Sequence, residues 1–177
     1  MFERSILQHW TPIGWLTLRA NHAGLTDVEF GKTACNFGDS EILHKTCGQL
    51  DEYFLGKRTS FDVPVFLTGT SFQKTVWMAL KKIPCGALPS YSDLAADIGR
   101  PSAVRAVGMA LNKNPLPIII PCHRVIGRDG SLTGYAGGLE IKRKLIDLEL
   151  RADKRQSSIA GGLDLGITGD LRAASDQ

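Results

Sequence analysis

The pattern of apolar residues changes near the middle of the chain, in the segment LTGTSF at residues 67–72. Before this segment, residues 12–31 alternate apolar and polar side chains on both sides of a polar break, which predicts antiparallel strands. After it, apolar residues recur every three or four positions, and this spacing predicts amphipathic helices. We therefore expect an α+β fold, with a small mixed α/β lobe at residues 1–68 and a mostly helical domain at 69–152.

The amino-terminal lobe also carries signals for one helix and one further strand. Between Ser40 and Phe54 the apolar residues recur at helical spacing, and Gly56 ends the run. The segment FDVPVF, residues 61–66, predicts a short strand. Nothing in this lobe points to chemistry of its own, so we expect it to act as a scaffold for the second domain.

The cysteines and the apolar runs limit the class of protein. Four cysteines lie at irregular spacing and the sequence starts without a secretory signal, so we expect free thiols and a cytoplasmic, nucleoid-associated monomer. No apolar run approaches the roughly 18 residues that span a bilayer, so we expect no membrane partner. His44 and Cys47 could supply two metal ligands, but only Cys35 and His22 accompany them. We expect neither a metal nor a cofactor.

Two short helices joined by a tight turn are predicted inside the second domain. Ser90 is the expected cap of the first helix, with Asp93 three residues later as in a capping box, and Gly99 closes it. The second helix is predicted over residues 103–113 and ends before Asn114. Two such helices around a polar turn are typical of a helix-turn-helix.

Further helices are predicted on either side of this pair. One runs from Phe72 to Ile83 and is ended by Pro84, and the last covers residues 139–150. Beyond it the sequence becomes rich in Gly, Ala and Ser. We therefore predict a flexible tail at residues 153–177.

Charge and side-chain size in the second helix suggest a partner. From Ile98 to Arg128 the chain contains Arg and Lys but no Asp or Glu, which suits a polyanion such as nucleic acid. A solvated basic face would give the same pattern. The helix body is narrow, with small residues such as Ala106 and Gly108, and Arg105 near its start. Such a helix can enter the minor groove of DNA with the arginine as a wedge, or pack tightly against a neighbouring helix.

The segment IIIPCHRVIG, residues 118–127, places a thiol and an imidazole directly after three isoleucines. A cysteine thiol has a pKa of about 8.5 and needs a base to become nucleophilic. His123 could supply that base to Cys122, and a carboxylate such as Glu149 could orient the ring. Because neighbours on an extended segment point to opposite faces, we expect the pair to communicate through a water or a bend. A packed, inert cysteine is the alternative.

Residues 69–149 resemble the O6-alkylguanine-DNA alkyltransferases, the methylated-DNA-protein-cysteine methyltransferase family. The most specific element is NPLPIIIPCHRVIG, followed by GYAGG at residues 134–138. PIGWLTLRA and YFLGKRTSFDVPV in the first lobe are consistent with the same family. The resemblance implies a ribonuclease H-like amino-terminal lobe and a winged-helix-like helix-turn-helix in the second domain.

The resemblance also implies a reaction. Cys122 would accept the alkyl group of an O6-alkylguanine, and possible action on O4-alkylthymine stays open. The base would first be flipped out of double-stranded DNA, and each protein molecule would react once. His123 would be the water-linked base and Glu149 the carboxylate that stabilises its charge.

The remaining roles are carried over in the same way. Asn114 would order the turn before the reactive cysteine, and Tyr91 would help to rotate the nucleotide and protonate the departing base. We expect Ser102, Arg105, Ala106, Gly108 and Arg124 to contact DNA, Arg124 as part of the basic stretch that ends at Arg128. We expect Val125, Tyr135, Ala136 and Gly137 to form the pocket.

Two other functions stay open on the residues alone. A damage sensor would flip alkylated bases without repairing them, although it would not need an acceptor such as Cys122. A Cys-His-Glu hydrolase or acyltransferase would need an oxyanion hole and would turn over repeatedly. Ala136 stands where some relatives carry a serine whose side chain can contact the base, so the preference of the pocket for larger adducts stays open.

Overall fold

The computed structural model describes residues 5–34 and 38–161, and it begins with a three-stranded antiparallel sheet. Strands β1 (Ser5–Thr11), β2 (Gly14–Asn21) and β3 (Gly24–Phe30) lie side by side in chain order. The predicted antiparallel strands are thus confirmed, and β1 adds a strand before the predicted range. The alternating residues Leu16 and Leu18 of β2 are fully buried, because period-two spacing places them on one face of the sheet.

Helix α1 (Glu41–Phe54) covers the buried face of this sheet, as its apolar spacing predicted. The strand predicted at residues 61–66 is wrong, since only one isolated bridge forms there, between Leu25 and Val65. Pro64 accepts a hydrogen bond from the backbone of Leu25 (2.8 Å) but has no N–H to continue a ladder. The segment therefore stays irregular.

The second domain is helical, as expected. It contains α2 (Ser71–Leu80), α3 (Tyr91–Asp97), α4 (Val104–Asn112) and α5 (Leu139–Gly161). Ser90 and Asp93 form the predicted capping box. Thr70 and Gln73 form a second one at the start of α2, which the sequence analysis did not identify. Because α5 continues to Gly161, the tail predicted from residue 153 is wrong for 153–161; residues 162–177 lie outside the described part.

Helix α4 packs against α2 and α3 on one side and faces solvent on the other. Val107, Ala110 and Leu111 are buried, and the indole N–H of Trp77 donates to the Ala110 carbonyl at 2.9 Å. Arg105 lies on the exposed side. The narrow helix therefore packs tightly on one face and keeps the other available.

The segment before Cys122 is a compact turn and not the extended segment that the sequence analysis assumed. The backbone of Ile120 donates to Leu116 at 2.8 Å, and Ile118 adopts a positive φ of 76°, which is unfavourable for a β-branched residue. Cys122–Arg124 then form a single turn of 3-10 helix. Neighbouring side chains here diverge around a helical turn and do not alternate across a strand.

The two lobes are joined directly near this turn. The backbone N–H of Val28 in β3 donates to the Pro115 carbonyl at 2.8 Å. Among the described residues, no helix is long and apolar enough to cross a membrane.

Candidate active site

One amide side chain holds the turn and the reactive thiol together. Asn114 Nδ2 donates to the Ile120 carbonyl at 2.8 Å and lies 3.2 Å from Cys122 Sγ. Its Oδ1 accepts from the backbone of Leu116 at 3.0 Å. The turn therefore aims an N–H at the sulfur, where a negative charge would develop.

The sulfur of Cys122 lies in a buried environment. Burial raises the pKa of this thiol to about 11, while the Asn114 hydrogen bond and the charge of Lys142 oppose that rise. The thiol is therefore protonated at neutral pH and needs a base for nucleophilic attack.

His123 is completely buried and its ring is fixed by a carboxylate. Its Nε2 lies 2.8 Å from Glu149 Oε1. Because an ionised carboxylate only accepts hydrogen bonds, Nε2 carries the proton and Nδ1 keeps a lone pair. Nδ1 is buried and has no hydrogen-bond partner among the described residues. Burial lowers the pKa of His123, so the ring is neutral and able to accept a proton.

Glu149 is the centre of a buried hydrogen-bond network. Arg124 donates from Nε to Oε2 at 2.8 Å and from Nη2 to Oε1 at 3.0 Å, and Tyr53 donates its hydroxyl to Oε1 at 2.8 Å. Burial alone would raise the pKa of Glu149, but the hydrogen bonds from His123 and Arg124, together with the charge of Arg124, outweigh it and lower the pKa to about 2. Glu149 is therefore ionised and can stabilise an imidazolium on His123.

Arg124 lies inside the protein and does not face DNA. Its side chain is almost entirely buried, and besides Glu149 it donates to the Ile83 carbonyl. The prediction that Arg124 contacts DNA is therefore wrong. Counting charges along the sequence assigned it to a basic face, whereas its counter-charge comes from a helix 25 positions further on.

Lys142 is a buried cation that the sequence analysis missed. Its ammonium donates to the Val125 carbonyl at 2.7 Å and to the Thr133 carbonyl at 2.8 Å. Burial lowers its pKa, and the neighbouring Cys122 charge partly restores it. Lys142 precedes Glu149 by seven residues, two helical turns, so both lie on the same face of α5. This spacing is the sequence signal that could have identified Lys142 as part of the site.

The aromatic side chain of Tyr135 lies next to the His123 ring. Burial, followed by the charges of Cys122 and Glu149, raises the pKa of Tyr135 well above its usual value. The Tyr135 ring stands perpendicular to the His123 ring, with 6.4 Å between centroids. Its hydroxyl is buried without a hydrogen-bond partner among the described residues.

The other predicted pocket residues take different positions. Ala136 is exposed and Gly137 is half-buried, whereas the side chain of Val125 is completely buried in the core. Val125 therefore contributes its carbonyl to the Lys142 contact and does not line the pocket with its side chain.

Most of the predicted DNA-binding residues of the helix pair are exposed to solvent. Ser102, Arg105 and Ala106 are exposed. Gly108 faces Tyr91, since a Cβ at position 108 would lie 3.9 Å from the tyrosine ring. The Tyr91 hydroxyl in turn accepts a hydrogen bond from Thr133 Oγ1 at 3.1 Å. Tyr91 thus connects α4 to the loop that Lys142 holds.

The described residues contain no group of three metal-binding side chains, and His44 pairs with Asp39 at 2.5 Å. Cys35 lies outside the described residues. Cys47 and Cys85 are half-buried free thiols. Burial raises the pKa of each to about 11.

Comparison with known proteins agrees with this architecture in both lobes. The family described as "6-O-methylguanine DNA methyltransferase, ribonuclease-like domain" matches residues 9–67, and its "DNA binding domain" matches residues 71–151. The methylated-DNA–protein-cysteine methyltransferase of Methanosarcina acetivorans is 49% identical over 146 residues, covering 78% of this chain and 94% of the relative. The constitutive Bacillus subtilis protein of that name is 55% identical over 150 residues, covering 78% and 91%.

Solved structures give the same result. The crystal structure of the Mycobacterium tuberculosis O6-methylguanine methyltransferase has a TM-score of 0.77 and 42% identity, covering 85% of this chain and 94% of that one. A Mycobacterium tuberculosis structure in complex with DNA has a TM-score of 0.75 and 44% identity, covering 84% and 93%. With both domains matched in order over most of its length, the chain belongs to the O6-methylguanine-DNA methyltransferase family.

Proposed function

We propose that this protein repairs DNA by direct reversal, as a methylated-DNA–protein-cysteine methyltransferase that moves the alkyl group of an O6-alkylguanine onto Cys122. The Cys122 thiolate attacks the alkyl carbon, a C–S bond forms and the C–O6 bond breaks. The electron pair of that bond stays with the guanine, which takes up one proton. The product is a thioether, so each molecule reacts once.

The buried Nδ1 lone pair of His123 is the observation that carries this proposal. Nε2 is held by Glu149, so the opposite nitrogen is the one that can take the thiol proton, directly or through a water. The imidazolium that forms is stabilised by the ionised Glu149. Asn114 and Lys142 favour the negative sulfur. These groups supply a nucleophile inside an otherwise apolar site.

The helix pair α3 and α4 supports base flipping in double-stranded DNA. A guanine stacked in a duplex cannot present its O6 substituent to a protein thiol, so the nucleotide must rotate out, at a cost of a few kcal/mol. The slim exposed face of α4 fits the minor groove, and Arg105 fills the space left in the duplex. Ser102, Ala106 and Gly108 allow close approach, and Tyr91 protonates the departing base. We place this work in the cytoplasm, at the nucleoid, for a monomer.

Intact mass spectrometry with duplex DNA that contains O6-methylguanine tests the reaction. We expect one methyl group per protein molecule, located on Cys122 by peptide mapping, with no turnover beyond one equivalent. Cys122→Ser should remain unmodified, and Cys47→Ser, which removes a half-buried thiol of the first lobe, should react normally. Tight binding without modification would indicate a damage sensor, and continued product formation would indicate a hydrolase.

The wedge role of Arg105 has a separate test. Arg105→Ala should slow repair of duplex DNA much more than the reaction with a free O6-alkylguanine, because only the duplex needs a nucleotide to be turned out. The matched control is Lys57→Ala, which removes one surface charge from the loop after α1 in the other lobe and should leave both rates unchanged. Equal slowing of both substrates by Arg105→Ala would contradict the wedge.

A further inference from the structure

The last residue of β3 reaches the loop that carries Tyr135. The ring centroids of Phe30 and Tyr135 are 5.6 Å apart, with 59° between the ring planes. A Cβ placed on Gly137 would lie 3.0 Å from Cε2 and Cζ of Phe30, which is tighter than an ordinary contact. Gly137 does not have a positive φ, so the backbone there would accept alanine. An alanine at position 137 would instead lack space, because its methyl group would meet the Phe30 ring.

Phe30 has little freedom to move away from this loop. It pairs with Leu16 of β2, whose side chain is completely buried, and the next residue, Gly31, donates to the Trp15 carbonyl at 2.7 Å. The Phe30 ring is itself packed against the core. The sheet of the amino-terminal lobe therefore holds the ring in place.

Tyr135 transmits this position to the reactive centre. One side of its ring contacts Phe30, and the ring also stands edge-on to His123. The Tyr135 hydroxyl is buried, and a negative charge on Cys122 would raise its pKa further. A line of side chains thus runs from the sheet, through Phe30 and Tyr135, to His123, the residue next to Cys122 in the sequence.

We propose that Phe30 is a positioning residue that determines which alkyl groups reach Cys122. It holds Tyr135 towards the thiol and, by abutting Gly137, limits how far the 134–138 loop can retreat from a bulky substituent. A benzyl group needs more room than a methyl group, so its transfer depends more on movement of this loop. This inference rests on the proposed alkyl transfer to Cys122.

The first test compares two lesions in one duplex sequence, O6-methylguanine and O6-benzylguanine. Phe30→Leu replaces the ring with a smaller aliphatic side chain. We expect it to raise the benzyl-to-methyl ratio of transfer rates about tenfold, the effect of a small volume change in an apolar pocket. Val28→Ala, on the same face of β3 two residues earlier, loosens the sheet without removing the ring. Its ratio should stay at the wild-type value.

An unchanged ratio in Phe30→Leu, or an equal shift in both variants, would overturn the specificity role. Absence of transfer by the wild-type protein from both lesions would instead overturn the proposed function. Urea midpoints of all variants identify any loss of folding. A variant that is folded but transfers both groups more slowly still tests the inference, because its benzyl-to-methyl ratio can be measured.

The second test uses stability and needs no activity. Gly137→Ala should lower the melting temperature of the wild-type protein, because its new methyl group meets the Phe30 ring. In the Phe30→Leu background the same change should have a much smaller effect, which a double-mutant cycle measures as coupling. Additive effects in the cycle would show that Phe30 does not confine position 137, and the inference would then fail.

Discussion

The two lobes contribute to the reactive centre in different ways. The second domain supplies Cys122, His123 and Glu149, and the chemistry of these residue types can be recognised in the sequence. The first lobe supplies Tyr53, which donates to Glu149 at 2.8 Å, and Phe30, which packs against Tyr135. Both look like ordinary core aromatics when read along the chain. A lobe expected to be only a scaffold therefore completes the network around the carboxylate and packs against Tyr135.

Replacing the shared carboxylate should have the largest effect on this arrangement. Glu149→Gln leaves Arg124 buried without its counter-charge, and losing one partner of a buried pair costs about 3–5 kcal/mol. We expect that loss in the free energy of unfolding measured with urea, together with slower alkyl transfer. Glu140→Gln removes an exposed carboxylate paired with Lys144 on the same helix and should leave the urea midpoint unchanged. A stable Glu149→Gln protein would show that the lobes do not depend on this charge.

Acid titration should reveal the same carboxylate without any substitution. The pKa of Glu149 is lowered from 4.5 to about 2 in the folded protein, so its contribution is fully present above pH 4.5. That contribution disappears as the pH falls towards the folded value, and it amounts to roughly 3 kcal/mol. The difference in unfolding free energy between wild type and Glu149→Gln should therefore shrink on acidification. A constant difference would contradict the lowered pKa.

Tyr53→Phe tests the contribution of the first lobe by removing a single hydroxyl. The phenyl ring keeps its packing against Phe54 and Phe61, so the lost hydrogen bond to Glu149 dominates. A hydrogen bond to a charged group contributes about 1.5–3 kcal/mol, and we expect a loss in that range from urea unfolding. No loss would mean that the first lobe supports the carboxylate only by packing.

Lys142→Met should have a smaller effect, directed at the chemistry of Cys122. The variant keeps the apolar stem but removes a charge that opposes the raised pKa of Cys122. We expect transfer at neutral pH to slow about tenfold, equivalent to one pKa unit, and the pH profile to move to higher pH. Rates measured with a free O6-alkylguanine exclude effects on DNA binding. A pH profile identical to that of the wild-type protein would show that Lys142 does not affect the pKa of Cys122.

Local signals predicted the elements of the fold well. The period-two pattern gave the strands, and the cap at Ser90 gave the start of α3. The failures have local causes: Pro64 interrupts a segment with strand composition. The polar run that begins near Gln156 concealed the continuation of α5 to Gly161.

The site was predictable only where residue chemistry carries the signal. Cys122 and His123 stand out by type, Glu149 was proposed as their carboxylate on the same grounds, and the resemblance added the role of Asn114. The partners of these residues come from far away in sequence, and Tyr53 lies 96 positions before Glu149. Neither apolar spacing nor charge counting reports such a pairing, which is why Tyr53 was missed and Arg124 was assigned to the surface.

The ammonium of Lys142 joins two carbonyls, of Val125 and Thr133, across an exposed turn. Gly127 donates to the Ser131 carbonyl at 2.8 Å and closes that turn independently. Both ends of residues 127–132 are thus fixed by contacts inside the domain, and the tip is a candidate place for engineering. A short peptide tag inserted after Asp129 would be displayed beside the repair site without passing its motion to the reactive sulfur.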